Sequence, residues 1–481
     1  MNSQELTGKL EQLSISSNEL DILEWQRMEK INQATGFTNT FINGLNAIKG
    51  FNEKEIGKLA IQNKKLSLPE LLNLYPKEVA ETGINAASPK NLGYIPGGGV
   101  VTAALADFIA AVTNPFASVY YASPGAATIE NEVVNWLKSI FSFLENSVGC
   151  LSSGGSISTL IAFTATRDKY KIKNEIISKS LVYLSEQVHH SAQKALRIIG
   201  LEDVIIRYVL PLDRNYRIKP QNLDKLIEKD KADGLNPFLI ISTAGTTDTG
   251  MIDPLNEIAN IAQHHKLWYH IDGAYGGFFI LTSKRNLFKG IERADSLTID
   301  PHKGLFLPYG IGAVLVKDAN VFLHSNYYTA NYMQDGYNEE LLNSPANLLP
   351  ELTKHFRGLR VWLPLQIHST ELFISCLEEK LLLTIYFRNK LNELSFCLGP
   401  EPDLSVSYFW YPFETEVDEK NRQLMNEIHK DNSFFLSSSI INKQFVIRIA
   451  ILAFRTKKET IDEAVEMISR CLQFVLQVNK K

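Results

Sequence analysis

From about Val148 onward the chain alternates short, wholly apolar runs with amphipathic patterns of helical period. The runs are VGCLSS, SLVYLS, VIIRYV, FLIIST, LWYHID, SLTID and GAVLVK. Runs without a polar face belong to strands covered on both sides, and spacers such as LNEIANIAQHHK (residues 255–266) supply an apolar stripe to cover them. The pattern predicts a large α/β domain around a mostly parallel sheet. Ligands of such sheets bind beyond the carboxyl ends of the strands, so the residues just after each run are the first to read for chemistry. From about His368 the pattern changes. Helical segments (378–391 and 458–476) alternate with strand-like SVSYFWYP and FVIRIAIL, which predicts a smaller α+β domain. The first hundred residues read as a polar segment to about Ser17, helical patterns over 19–48, and the loop SPKNLGYIPGGG.

Length and composition narrow the class without naming a function. The 481 residues carry 45% hydrophobic and 21% charged side chains, ordinary for a folded globular chain with a full-sized core. The net charge of -4, with no block of one sign, does not suggest nucleic acid as a partner. Cys150, Cys376, Cys397 and Cys471 lie far apart, without a C-x-x-C pair or metal-ligand spacing, so neither a disulfide framework nor a metal site is expected and a reducing, cytoplasmic compartment is. The amino terminus lacks the basic-then-apolar pattern of a secretory signal. The most apolar stretch, residues 100–117, contains Asp107 and Pro115 and is too short for a bilayer span, so it is expected as a buried or interface helix and no membrane partner is expected.

Four features after predicted strands carry candidate chemistry. SLTIDPHKG ends a strand in Asp300-Pro301-His302-Lys303, putting an amine where it can act as a nucleophile and form a Schiff base, although a lysine in this position is more often a solvated surface residue. LWYHIDGAYGG ends in Asp272, followed by Gly273 and Ala274. A carboxylate there can pair with a protonated ring nitrogen while small neighbours admit a flat ring, and the plain alternative is a turn or helix-cap aspartate. CLSSGGSISTL opens a helix at Gly155-Ser156, where free N–H groups and the helix dipole suit a phosphate or simply a cap. SLVYLSEQVHHSAQKA places His189 after a strand, able to stack on a planar group, with His190 better explained as a cap. His264 and His265 lie in a predicted surface helix and are expected to be solvated, and neither histidine pair has metal-protease spacing.

In chain order these features, with STAGTTDTG between His189 and Asp272, resemble the group II pyridoxal-phosphate-dependent amino-acid decarboxylases, the aromatic-L-amino-acid and glutamate decarboxylase family. The resemblance runs from about Ala87 to the carboxyl end and includes YYASPGAATIENEVVNWL and LTKHFRGLRVWLPLQIH. It implies a type I, aspartate-aminotransferase-like α/β fold with a mostly parallel seven-stranded sheet. The implied division is an amino-terminal helical clasp (1–100), a large cofactor domain (101–367) and a small α+β domain (368–481), in a homodimer with active sites between subunits. It further implies pyridoxal 5'-phosphate as cofactor and an L-amino acid, aromatic or medium-sized, as substrate. Carried over by position, Lys303 would hold the cofactor and exchange with the substrate amine. Asp272 would keep the ring nitrogen protonated, His189 would stack on one ring face and Ala274 on the other, and Gly155 and Ser156 would bind the phosphate. Thr247 would lie near cofactor and substrate, and His302 beside the lysine near the phosphate.

Three positions depart from the family pattern. Asp300 stands where animal members have asparagine, bringing a carboxylate towards a phosphate dianion. Ser88 replaces a histidine in the upstream loop, which continues as Tyr94-Ile95-Pro96-Gly97-Gly98-Gly99 and is expected to strip side chains from a pocket wall. Counting back from Phe356-Arg357 without gaps, Pro345 matches the loop tyrosine that protonates the carbanion in aromatic decarboxylases, while Tyr332 and Tyr337 match only with gaps. Loss of that tyrosine can favour oxidative conversion to an aldehyde, so aldehyde synthesis, transamination or carbon–carbon lyase action on the same fold stand as alternatives to decarboxylation, with a non-catalytic binding dimer as a minor one. Arg357 can be read as a receptor for an acidic substrate group or as a structural ion pair.

Overall fold

A computed structural model describes residues 1–57, 59–61, 63–328 and 341–478. The chain divides into two compact units, residues 1–88 and 89–481. The first contains helices α1 (Ser3–Ser17), α2 (Glu24–Gly44) and α3 (Leu68–Tyr75), with Phe51–Asn52 paired antiparallel to Gly83–Ile84. Two of its helices start at reciprocal caps, in which Asn2 and Glu5, and Ser67 and Glu70, each satisfy the other's backbone N–H.

The second unit is built on a seven-stranded sheet of β1 (Val148–Ser152), β2 (Ser180–Leu184), β3 (Ile205–Tyr208), β4 (Asn236–Thr243), β5 (Trp268–Gly273), β6 (Ser296–Ile299) and β7 (Gly312–Val316). Their spatial order is β1-β7-β6-β5-β4-β2-β3. Neighbours from β3 to β6 are parallel, and β7 runs antiparallel to both β6 and β1. Each apolar run of the sequence becomes one of these strands. The reason for their unbroken hydrophobicity is visible in the packing, since Leu181 and Tyr183 of β2 enter one apolar cluster and Val182 and Leu184 enter the other. One layer comes from α5 (Pro124–Ile140), α8 (Pro220–Ala232) and α9 (Leu255–His265), the other from α6 (Gly155–Lys169) and α7 (Ser191–Ile198).

Residues 101–113 form α4 (Val101–Thr113), whose Asp107 is paired with Arg360 at 2.8 Å and His355 at 2.9 Å. A long helix, α10 (Arg357–Glu393), is broken at Ser369, where φ is 58°. Beyond it β8 (Cys397–Leu398), β9 (Val406–Trp410), β10 (Ser437–Ile441) and β11 (Gln444–Ala450) form an antiparallel sheet ordered β8-β9-β11-β10. Helices α11 (Val417–Asp431) and α12 (Lys458–Val478) cover it through a separate apolar core. His264 is solvated as expected, but His265 is not. Its Nε2 meets Asp224 at 2.8 Å and ties α9 to α8. Among the described residues no helix is long and apolar enough to cross a membrane.

Candidate active site

The carboxyl ends of β1, β2, β4, β5 and β6 surround one cavity of about 290 Å³. Its wall includes Gly155, Ser156, His189, Thr247, Asp272, Ala274, His302 and Lys303, so all the residues expected at the cofactor line the same space. Parallel strands produce this convergence, because each delivers its last side chain and following turn to one edge of the sheet.

Asp272 occupies the middle of that edge, in register with Thr243 of β4 on one side and Thr298 of β6 on the other. Its Oδ1 accepts the N–H of Ala274 at 3.0 Å, which fixes the carboxylate and holds Ala274 beside it. His189 follows β2 at the start of α7. Its Nδ1 accepts the backbone N–H of Ser191 at 3.2 Å and lies 2.8 Å from the Ser191 hydroxyl, an arrangement that leaves the ring hydrogen on Nε2. Burial pushes its pKa below the usual histidine range, His190 and Lys303 add to that, and Asp272 opposes it, so the imidazole is neutral near pH 7. His190 sits at the N-cap position of α7 with its ring 4.1 Å from that of His189.

A one-turn helix, Pro301–Gly304, carries His302 and Lys303 from the end of β6. Lys303 Nζ lies 2.9 Å from Asp300 Oδ2. His302 donates through Nδ1 to the Ile311 carbonyl at 2.5 Å, and burial keeps its pKa below the usual value. Beside Asp300, the turn from β1 into α6 presents the backbone of Gly155 and Ser156. Glycine is required at 155, since a Cβ there would lie 2.8 Å from Asp300 Oδ2 and 3.2 Å from the Ala274 methyl group.

Two supporting features were not singled out in the sequence. Arg448 of β11, 2% exposed, donates to the carbonyls of Thr247 and Tyr94 and to the Ser437 hydroxyl, so one side chain fixes the Thr247 turn and the 94–99 loop. The available signal was a lone charge inside the apolar run FVIRIAIL. Arg455 similarly donates to the carbonyls of Gly98 (2.6 Å) and Gly99 (3.3 Å). The 94–99 loop does not contribute to the wall of this cavity; Gly97 instead permits close backbone approach, a Cβ there falling 2.1 Å from the His302 carbonyl oxygen. Of the two threonines after Gly245, Thr247 lines the cavity, while the Thr246 hydroxyl is bonded to that of Thr249 at 2.6 Å. Arg357 forms a two-pronged ion pair with Glu351 at 2.7 and 3.0 Å, the structural alternative for that residue. Tyr332 and Tyr337 lie outside the described residues, and Pro345 is buried in a short turn, Pro345–Asn347.

An amine, a fixed carboxylate, a neutral imidazole and a helix end with free N–H groups suit a phosphorylated heteroaromatic aldehyde. Such a site on this sheet defines the pyridoxal-phosphate enzymes of the aspartate-aminotransferase type. The pyridoxal-dependent decarboxylase conserved domain matches residues 52–412, and the chain belongs to that family. Pyridoxal 5'-phosphate is its cofactor, and it is a carboxy-lyase of amino-acid metabolism. The chain is similar to the aromatic-L-amino-acid decarboxylase of Bacillus atrophaeus, with 30% identity over 475 residues covering 93% of this chain and 94% of the relative. It is also similar to the phenylacetaldehyde synthase of Arabidopsis thaliana, 26% identical over 412 residues, 81% of this chain and 83% of the relative. In fold it resembles the Catharanthus roseus tryptophan decarboxylase crystallised with L-tryptophan, with a TM-score of 0.87 at 21% identity, covering 94% and 99% of the two chains.

Proposed function

We propose that the protein decarboxylates an L-amino acid with an aromatic or medium-sized side chain, releasing carbon dioxide and the primary amine. The observation that carries this reading is the convergence of Lys303, Asp272 and His189 with the α6 helix end on one cavity, in a chain similar over almost its whole length to an aromatic-L-amino-acid decarboxylase. When bound, pyridoxal phosphate supplies an electron sink for the pair left on the α-carbon as carbon dioxide departs.

The chain's residues supply the rest. Lys303 Nζ would hold the cofactor through its aldehyde group. Asp272, fixed by the Ala274 N–H, would keep a proton on the ring nitrogen. The neutral His189 and the Ala274 methyl group would flank the cofactor ring, and Nε2 of His189 is an N–H donor suited to a carboxylate. Gly155 and Ser156 offer backbone donors to the phosphate, while Thr247, held through its carbonyl by Arg448, and His302 border the same site. The selective task of these residues would be to orient the substrate so that it loses its carboxylate and not another group at the α-carbon. Incubation with a panel of L-amino acids, with carbon dioxide and amine measured together, tests this reading.

A second reading is oxidative: amino acid, dioxygen and water give aldehyde, carbon dioxide, ammonia and hydrogen peroxide. Pro345, with no acid group, at the ungapped tyrosine position favours it, as does the similarity to a phenylacetaldehyde synthase. The protein is further proposed to work as a homodimer with residues 1–100 as the clasp. In support, α4 turns Leu105, Phe108, Ile109 and Val112 outward, each 45–69% exposed. The four free cysteines fit a reducing, cytoplasmic setting.

A further inference from the structure

We propose that Asp300 sets how tightly this enzyme holds the cofactor phosphate, by fixing a buried carboxylate in the phosphate cradle. The inference rests on the reading of Gly155-Ser156 as the phosphate site. Asp300 is 2% exposed at the end of β6. Its Oδ2 is engaged by Lys303, whereas its Oδ1 is buried and has no hydrogen-bond partner among the described residues. A carboxylate can accept about four hydrogen bonds, and leaving one oxygen unmet in a buried place is unfavourable enough to need a compensating reason.

The surroundings make the position a built one. Oδ2 sits 2.8 Å from where a Cβ on Gly155 would be, and Oδ1 sits 2.8 Å from where a Cβ on Gly312 would be. Two glycines thus open the slot that the carboxylate fills, between the first turn of α6 and the start of β7. The neighbouring histidine does not neutralise it, because His302 spends Nδ1 on the Ile311 carbonyl and its Nε2 is 3.7 Å from Oδ2, beyond hydrogen-bond distance. The cation in contact with Asp300 is Lys303, the same amine that is committed to the cofactor.

Two consequences follow. Without cofactor, Asp300 holds the Lys303 amine three residues away in a defined place. With cofactor, a phosphate dianion and the Asp300 carboxylate share the one helix end, and their repulsion weakens retention of the phosphate. Asp300 is therefore an affinity-setting and positioning residue. Asparagine, of equal size and uncharged, would hold the phosphate more tightly.

The test compares binding of pyridoxine 5'-phosphate and of pyridoxine, neither of which forms a bond with Lys303, to cofactor-stripped wild-type protein and to Asp300→Asn. Asp300→Ser is the second variant if Asp300→Asn does not fold. The expected result is about tenfold or greater tightening for the phosphorylated ligand in the variant, with pyridoxine changed by no more than about twofold. Unchanged or weaker binding of pyridoxine 5'-phosphate, or an equal change for both ligands, would overturn the inference. Failure of the cofactor-site reading on which the inference rests reads differently: the wild-type protein would then not be labelled at Lys303 when pyridoxal phosphate is added and reduced with borohydride.

Discussion

Lys303 and Asp272 reach the cavity from different strands, and the proposed mechanism gives each a separate task. Lys303→Ala is expected to abolish the visible absorbance of lysine-bound cofactor and to lower turnover by about 10³-fold or more; full activity in that variant would contradict the assigned role. Below them on β5, His270 illustrates how burial is expressed as pH dependence. Its Nδ1 meets the Ser296 hydroxyl at 2.8 Å, its Nε2 has no partner among the described residues, and burial lowers its pKa to about 4. The unfolded chain binds this proton near pH 6.5 and the folded chain does not, so stability is whole above 6.5 and falls as the pH drops towards 4, by about 3 kcal/mol. Asp253 acts in the opposite sense over part of that range, since burial raises its carboxyl to about 6 and its charged form is penalised as pH rises. The diagnostic quantity is therefore the difference between wild type and His270→Gln. Denaturant unfolding between pH 6.5 and 4 is expected to show a shallower loss of stability in the variant, and parallel curves would refute the assignment.

At the scale of elements, the site depends on loops fixed from outside it. Gly97→Ala drives a methyl group into the His302 carbonyl and is expected to displace the 94–99 loop, reducing kcat by roughly tenfold. Arg448→Met leaves the buried carbonyls of Thr247 and Tyr94 without this donor and is expected to cost about 2–4 kcal/mol, measurable as a lowered Tm with weakened cofactor binding. Six of the seven strands of the large sheet were legible as mostly apolar runs because they are buried on both faces, whereas the edge strand β3, with Arg207 and an exposed Tyr208, was legible from Ile205, Ile206 and the flanking valines. The reversed direction of β7 was not, since a run of apolar residues has no polarity. In the small sheet, β9 and β11 were legible from SVSYFWYP and FVIRIAIL, but β10 begins with three serines and β8 spans only Cys397–Leu398. The cavity residues were legible because each ends a readable strand. The close pairing of Asp300 with Lys303 depends on a single helical turn after β6, and the Arg448 contacts join residues 201 and 354 positions apart, beyond any local pattern.

At the scale of the molecule, the sheet edge explains why one cavity gathers so many of these groups, and the exposed apolar face of α4 gives the proposed dimer a testable contact. Phe108→Glu places a charge on the exposed apolar face of that helix and is expected to shift the protein from dimer to monomer in light scattering; a dimer of unchanged stability would remove α4 from the interface. The most direct test of the whole account is a mass balance. Cofactor-loaded protein is incubated with L-tryptophan, L-tyrosine, L-phenylalanine, L-DOPA and L-glutamate, and carbon dioxide, amine, aldehyde, ammonia and peroxide are measured in the same vessel. Carbon dioxide and primary amine are expected in equal amounts from an aromatic substrate. Aldehyde, ammonia and peroxide in place of amine, or no carbon dioxide from any substrate, would contradict this expectation.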